Sequence, residues 1–402
     1  MHICRTQAPV GQGGLSVTTL AAIHAGAISA VTVVYDCGTL NGLESLGAEF
    51  ARALSECPAG TDSGRLAHVA ASTATGQPAI VILSHVDEDH VNGLMEVIAQ
   101  LRTRKRQIIV VMPLLTLEQR LFTLRGGSEE VPETHLLFLA NPTRYVDRLL
   151  GDDGRVVEVE SGEGEQQSPV ILSELENRVP SGTVVTLEGA LDWVLHFVHP
   201  PLDPKKVATV AAGLGQDFWD AWNASIELEL PEGATSAIRG SIKTIRNAIK
   251  AANFAEGPNE TSLVVYSGPP QDASRFGWAK ASHPGCVDEQ WGYGRGCLPG
   301  MIHTGDAPLN HHAFYAEVKS QLRQYEPLLG TINLPHHGSR EGYGPRLIKD
   351  FKPLHVLACS GPRKGWLHPD PDLWASLADQ DVCAVHVTKY AGSRFSEWWV
   401  DR

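Results

Sequence analysis

Two histidines and two aspartates able to ligate a metal ion fall within six positions of this chain. They are His85, Asp87, Asp89 and His90, in the run Ser84-His85-Val86-Asp87-Glu88-Asp89-His90. The apolar run Ala79 to Leu83 just before them reads as a buried strand, and Leu94, Val97, Ile98 and Leu101 after them lie on one helical face. The cluster therefore belongs to a strand-to-helix turn at the carboxyl end of a strand, where open α/β folds place their chemistry. Acidic residues also suit a helix N-terminus. A cap needs one or two of them, however, and gives no reason for two histidines at these spacings.

Further polar clusters end later strand-like runs. Asp36 follows Val31 to Tyr35 and is a candidate for orienting a ligand histidine. Asn259 and Ser262 lie in a polar turn entering the run Leu263 to Tyr266. Asp306 closes Gly300-Met-Ile-His-Thr-Gly-Asp, and His336 and His337 follow the run Thr331 to Leu334. His368, before Pro369, follows the strand-like run Leu354 to Cys359. Ahead of these, Ile238, Ile242, Ile245 and Ile249 form an apolar helical stripe, with Arg239, Lys243, Arg246 and Lys250 each one residue later. The basic stripe reads either as the flank of a buried helix face or as a cationic rail for a polyanionic substrate.

The elements that must position these residues alternate between strand and helix over 402 residues, of which 43% are hydrophobic and 20% charged. That is the composition of an ordinary globular chain. The net charge of −13 gives no general attraction to nucleic acid or anionic membrane. Seven cysteines without a regular framework fit reduced thiols and a cytoplasmic location. The start of the chain does not read as a signal peptide, and no apolar run has the roughly 18–20 residues of a membrane span. The pattern predicts one domain over 1–402, in two αβ halves of about 1–200 and 259–402. It also predicts a helical insertion at about 202–258 and a loop insertion at about 268–300, the latter a possible protein-partner surface. Helices are expected over 43–57 and 62–74, an exposed acidic hairpin or loop over 151–168, and a last strand over 383–387. Two strand layers with outer helices suggest an α/β (α+β) fold of the four-layer αββα kind. His283, Cys286 and Cys297 lack the paired spacing of a zinc knuckle.

The order His-x-Asp-x-Asp-His, Asn-x-x-Ser-Leu-Val, Thr-Gly-Asp, Pro-His-His-Gly-Ser and His-Pro resembles the metallo-β-lactamase superfamily. More narrowly, it resembles the metal-binding domain of ComEC-type DNA-uptake proteins in a stand-alone form. The motifs are His85 to His90, Asn259 to Val264, Thr304 to Asp306, Pro335 to Ser339 and His368-Pro369, and Gly11-Gln12-Gly13 and Asp36-Cys37-Gly38 match the opening strands. Asp87 stands where the superfamily more often has histidine, Gly14 stands where the ComEC type usually has aspartate, and no residue clearly matches the superfamily's isolated third histidine. His199 lies in roughly that region.

The resemblance implies a metallo-β-lactamase-like sandwich and two divalent metal ions, zinc or manganese. One would be held by His85 and Asp87, the other by Asp89, His90 and one of His336 or His337, with Asp306 bridging. Placing Asp87 where a histidine is usual makes the first site harder and shifts preference towards manganese or iron. The expected activity is metal-dependent hydrolysis by a metal-bound hydroxide, acting as a nuclease or phosphodiesterase on nucleic acid or a nucleotide. Asp89, His337 and His368 would carry the chemistry, with His368 as general acid. Asn259, Ser262 and the basic stripe would contact substrate. Two alternatives stand beside it: a hydrolase of a lactam, lactone or other small ester, and a non-catalytic metal-binding subunit of a defence or uptake complex.

Overall fold

The computed structural model describes the chain apart from residues 25–26, 56–76, 105, 126–130, 165–167, 188–190, 228–230, 253–260, 272–275, 283–289, 292–297, 341, 345, 362–366, 381 and 402. Asn259, His283, Cys286, Cys297 and the helix expected over 62–74 lie outside the described residues.

The chain opens with β1 (His2–Gln7), β2 (Ser16–His24) and β3 (Ala27–Tyr35), an antiparallel meander. Helix α1 (Leu43–Ser55) leads on to β4 (Ala79–Ile82). The cluster follows in a one-turn helix, α2 (Glu88–Val91), and then α3 (Leu94–Thr103). Next are β5 (Ile108–Pro113), the helices α4 (Leu117–Leu121), α5 (Glu133–Ala140) and α6 (Pro142–Leu150), and β6 (Gly154–Val159). β3, β4, β5 and β6 are mutually parallel. Their side chains alternate as the pleat demands. Ile80, Ile82, Ile109, Val111 and Val157 enter one core, while Ala79, Val81, Ile108, Val110 and Val156 enter a second core shared with the helices. Burial on both faces explains why these strands read as unbroken apolar runs.

The short strands β7 (Val170–Ile171), β8 (Arg178–Val179) and β9 (Val184–Thr186) precede β10 (Val194–Val198). Three helices follow, α7 (Pro204–Leu214), α8 (Gln216–Glu227) and α9 (Pro231–Ala251). The rest of the chain is β11 (Val264–Gly268), β12 (Phe276–Ser282), β13 (Gln290–Trp291), β14 (Gly300–His303), α10 (His312–Leu322), β15 (Leu329–Asn333), α11 (Arg346–Phe351), β16 (His355–Cys359), α12 (Pro371–Ala378), β17 (Cys383–Val387) and β18 (Phe395–Asp401). Among the described residues, one sheet has ten strands in the order β13-β12-β18-β1-β2-β3-β4-β5-β6-β8. The other has eight described strands, β17-β16-β15-β14-β11-β10-β9-β7. The molecule is thus a mixed α/β protein with two multi-stranded sheets, and both sheets contribute to the first core. Among the described residues, no helix is long and apolar enough to cross a membrane.

Three sequence expectations are corrected. Residues 154–159 form an inner strand, not an exposed acidic loop. Val156, Val157 and Val159 are buried, while Glu158 points aside to accept a hydrogen bond from Thr143 Oγ1. Acidic residues around the strand masked its apolar alternation. The strand over 383–387 is not the last, because β18 returns to the first sheet and pairs along the whole of β1. The stretch 268–300 also supplies two strands at the edge of that sheet, β12 and β13.

β18 brings a buried charge network to the space between the sheets. Arg5 is fully buried and donates to Glu397 Oε2 at 2.9 Å and to the Pro299 carbonyl at 2.6 Å. Thr331 Oγ1 donates to Glu397 Oε1 at 2.7 Å, and His355 Nδ1 lies 3.0 Å from the same oxygen. Burial alone would raise the Glu397 carboxyl. The contacts with His355, Arg5 and Thr331 outweigh it and hold Glu397 below the usual glutamate range. A depressed carboxylate contributes stability that is complete near neutral pH and is lost as pH falls. Glu397→Ala should therefore cost about 3–5 kcal/mol, since it strands a buried guanidinium. Calorimetry checks this, and wild type should also lose stability more steeply than Glu397→Gln below about pH 4.5.

Candidate metal centre

Every described side chain of the centre is delivered by a carboxyl-terminal strand end. Asp36 follows β3, Ser84 to His90 follow β4, Asp306 follows β14, and His336 and His337 follow β15. Two glycines allow the opening turns to close on the cluster. A Cβ on Gly13 would stand 2.2 Å from the Gly38 carbonyl oxygen, and one on Gly38 would stand 2.2 Å from the Asp89 carbonyl carbon. Gly13 also has φ +137°, which side-chain-bearing residues rarely adopt.

Asp36 is the anchor behind the cluster. Its Oδ1 accepts from the Ser84 N–H at 2.7 Å, and its Oδ2 accepts from Ser84 Oγ at 2.9 Å. The same Oδ2 lies 2.8 Å from His90 Nδ1. A carboxylate can only accept, so His90 donates through Nδ1 and turns Nε2 towards the centre. Ser84 Oγ, whose proton goes to Asp36, lies 2.8 Å from His85 Nδ1, which therefore donates to it. His337 donates Nδ1–H to the Cys359 carbonyl at 2.8 Å. Three rings are thus fixed in the same sense, each presenting Nε2.

These nitrogens converge on carboxylates at distances of 3.3–3.8 Å. His85 Nε2 is 3.7 Å from Asp87 Oδ2 and 3.7 Å from Asp306 Oδ2. His90 Nε2 is 3.3 Å from Asp306 Oδ1, and His337 Nε2 is 3.3 Å from Asp89 Oδ2. His337 Nε2 is 3.8 Å from Asp306 Oδ1. Two groups emerge, His85–His90–Asp306 and Asp89–His90–His337, each with ligand atoms within 4.8 Å of one another. A cation bound at about 2.0–2.2 Å separates neighbouring ligand atoms by roughly 3.0–3.5 Å. His85 Nε2, His90 Nε2, His337 Nε2, Asp306 Oδ1 and Asp87 Oδ1 are also buried without a hydrogen-bond partner. Buried polar atoms are ordinarily satisfied. Imidazole nitrogens and carboxylate oxygens orphaned around a common space are the donor set of a metal ion, and the residues present fit one.

The electrostatics point the same way. Burial pushes His85 down to about 4, which keeps it neutral and able to ligate. Burial also lowers His90 and His337, but Asp306 with Asp36 in the first case, and Asp306 with Asp89 in the second, reverse the effect and raise both. Asp306 and Asp89 are held below the usual range despite burial, Asp306 by His90, His336 and His337, and Asp89 by His337 and His90. Asp87 is raised by burial and by the charges of Asp89 and Asp306. A pocket this rich in carboxylate draws positive charge, as protons on histidine or as a metal ion.

The other predicted residues divide. His336 stands beside the centre, with Nε2 3.9 Å from Asp306 Oδ2 and 17% of its side chain exposed. His336 and His337 have φ of 48° and 57°, left-handed values that cost a non-glycine residue about 1–2 kcal/mol. The strained turn is what aims one histidine inward and the other towards the opening. The His368 ring is 5.5 Å from that of His336. Burial and the neighbouring His336 and His337 push it down to about 4, so at neutral pH the ring is neutral and carries one N–H. Ser262 is fully buried, and Leu263 N–H donates to the Ser84 carbonyl at 2.7 Å. His199 is buried, donates Nδ1–H to the Val159 carbonyl at 3.0 Å, and is not in either group.

The basic stripe does not form a free rail. Arg239 pairs with Glu133, and Arg246 donates to the Leu124 carbonyl at 3.0 Å. Lys243 and Lys250 are exposed. Ile238, Ile245 and Ile249 are buried, as the apolar stripe requires. Sequence reasoning missed Ser84, and also His135, a buried α5 residue whose Nδ1 lacks a partner and which feels the Asp89 charge. Ser84 carried a signal, being a small hydroxyl between a buried strand and the first ligand. His135 carried none. Comparison with protein-family models and with curated proteins finds no match to this chain.

Two outcomes test the centre. Asp36→Ala should lower metal affinity about 10–100-fold, because it releases the Nδ1 partner that aims His90, and isothermal titration measures it. Metal uptake near neutral pH should release protons from His90 and His337, so affinity falls as pH falls. Proton release into a weakly buffered indicator solution reports this directly.

Proposed function

We propose that the protein is a metal-dependent hydrolase of phosphodiesters, a nuclease or nucleotide phosphodiesterase. In this reading it has the four-layer αββα architecture of the metallo-β-lactamase type and is nearest in pattern to the ComEC-type domain. The observation that carries the reading is Asp306. Its two oxygens face different donor sets, Oδ2 facing His85 and Oδ1 facing His90 and His337. A carboxylate placed between two sets is the arrangement that holds two cations close together.

His85, Asp87 and Asp306 Oδ2 would hold one ion; Asp89, His90, His337 and Asp306 Oδ1 would hold the other. Such ions supply Lewis acidity and acidify water near neutral pH. The residues around them do the rest. Asp36 and Ser84 keep the His90 and His85 rings aimed. His336 hydrogen-bonds an oxygen of the attacked group. His368 donates its neutral N–H to the leaving oxygen. With one histidine and two carboxylates, the first set is oxygen-rich and favours manganese or iron, with zinc also accommodated.

One observation favours a second reading. Arg239 and Arg246 are engaged within the protein, which leaves two lysines of the stripe for a polyanion. A small ester, lactone or lactam needs no rail.

Incubation of the manganese-loaded protein with single-stranded DNA, duplex DNA, RNA and bis(p-nitrophenyl) phosphate separates these readings. Wild type should cleave at least one, and Asp89→Ala should lower the rate by about 100-fold or more. Equal rates for the two would end the nuclease reading. Turnover of a chromogenic lactam or lactone alone would install the small-ester hydrolase, and two equivalents of metal with no turnover would install the non-catalytic subunit.

A further inference from the structure

We infer that Ser360 and His386 are positioning residues that clamp His368 at the edge of the metal centre. The inference rests on the hydrolase reading for its effect on rate, and on the hydrogen bonds alone for its geometry. Ser360 directly follows β16 and is fully buried, with its N–H donating to the Val387 carbonyl at 3.0 Å. Its Oγ lies 2.7 Å from the His368 carbonyl oxygen and 2.7 Å from His386 Nε2. A hydroxyl has one proton, and a carbonyl can only accept. The Ser360 proton therefore goes to His368, and His386 must donate from Nε2. The order is His386 Nε2–H to Ser360 Oγ, then Ser360 O–H to the His368 carbonyl.

The relay sets the tautomer of His386 as well as the backbone of His368. Burial pushes His386 down, in keeping with a neutral ring. Its edge meets Trp374 of α12 with ring centroids 6.0 Å apart, which limits its rotation. A second anchor works from the other side. Asp370 N–H donates to the Gly338 carbonyl at 2.9 Å, tying residues 368–370 to the turn that carries His336 and His337. His368 is held between these two attachments, one to each of the strand ends that flank it. A buried hydroxyl in this place costs stability unless both bonds are made. An alanine would leave the His368 carbonyl and the His386 N–H without this partner and free His368 to shift.

The test compares kcat and KM on bis(p-nitrophenyl) phosphate for Ser360→Ala, His386→Ala and His386→Gln, each also built into a His368→Ala background. Gln offers an N–H donor where His386 has Nε2. Ser360→Ala and His386→Ala should lower kcat about tenfold with KM within about twofold, because misplacement of a reacting group acts on the chemical step. Metal content should equal that of wild type, His386→Gln should recover most of the loss, and neither alanine should lower the rate further once His368 is already Ala. An undiminished kcat, or an equal loss in the His368→Ala background, overturns the inference.

If wild type turns over no substrate, the hydrolase reading fails and the clamp is decided by nitrogen-15 NMR of the histidine rings. A protonated Nε2 on His386, and a His368 signal that shifts in Ser360→Ala and in His386→Ala but returns in His386→Gln, supports it. A His386 ring protonated at Nδ1 alone, or a His368 signal indifferent to both alanines, rejects it.

Discussion

Four carboxylates, those of Asp36, Asp87, Asp89 and Asp306, are gathered where little water reaches them, and the rest of the molecule answers to that constraint. Like charges at such distances are tolerated only with compensating positive charge. Two compensations are visible: serine and backbone donors around Asp36, and the histidine nitrogens facing the other three. The elements follow from it. A single strand end cannot supply so many polar groups facing inward, so five converge, from β3, β4, β14, β15 and β16. Convergence needs two sheets whose carboxyl-terminal ends open in one direction, and the shared core between the sheets provides that alignment.

Asp306 is the member that belongs to both sheets' business. It ends β14 of the eight-stranded sheet, yet its oxygens meet His85 and His90 from the ten-stranded sheet as well as His337 from its own. The sheets could slide against a purely apolar core at modest cost. Here a shift of about 1 Å would pull apart the donor atoms whose spacing could hold an ion. The Arg5–Glu397–Thr331 contacts cross the same space and resist that motion away from the site. Polar registry thus complements apolar packing, a role well attested for buried polar groups elsewhere.

Much of this was legible in the chain, for physical reasons that differ by element. β4 and β5 were readable because strands buried on both faces are continuously apolar. The turn of histidines and aspartates was readable because the residue types that could hold a metal ion are few and fall there at short spacings. Asp36 was readable as a candidate for orienting a histidine, and its hydrogen bond to His90 shows it doing so. β6 was hidden by flanking acidic residues that point away from the core, and β18 by aromatic residues with no alternation clear enough to name a strand. Which histidine of the pair at 336 and 337 lies with Asp89 and His90 depends on two left-handed backbone angles, and no periodicity encodes those. The basic stripe shows the opposite failure. Its pattern was real, but two of its four cations serve the helix's own neighbours.

β18 has a further consequence, for synthesis. Its hydrogen bonds with β1 join segments separated by almost the length of the sequence, and Arg5 and Glu397 are 392 positions apart. At about 5–20 residues per second, Arg5 leaves the ribosome roughly 20–80 s before its counter-ion. Until then β1 has an unpaired edge and a guanidinium that cannot be buried, while β2, β3 and β4 are already available to assemble. The ten-stranded sheet therefore receives an interior strand last, and until β18 emerges the nascent chain carries an open strand edge at β1, the kind of surface that chaperones shield.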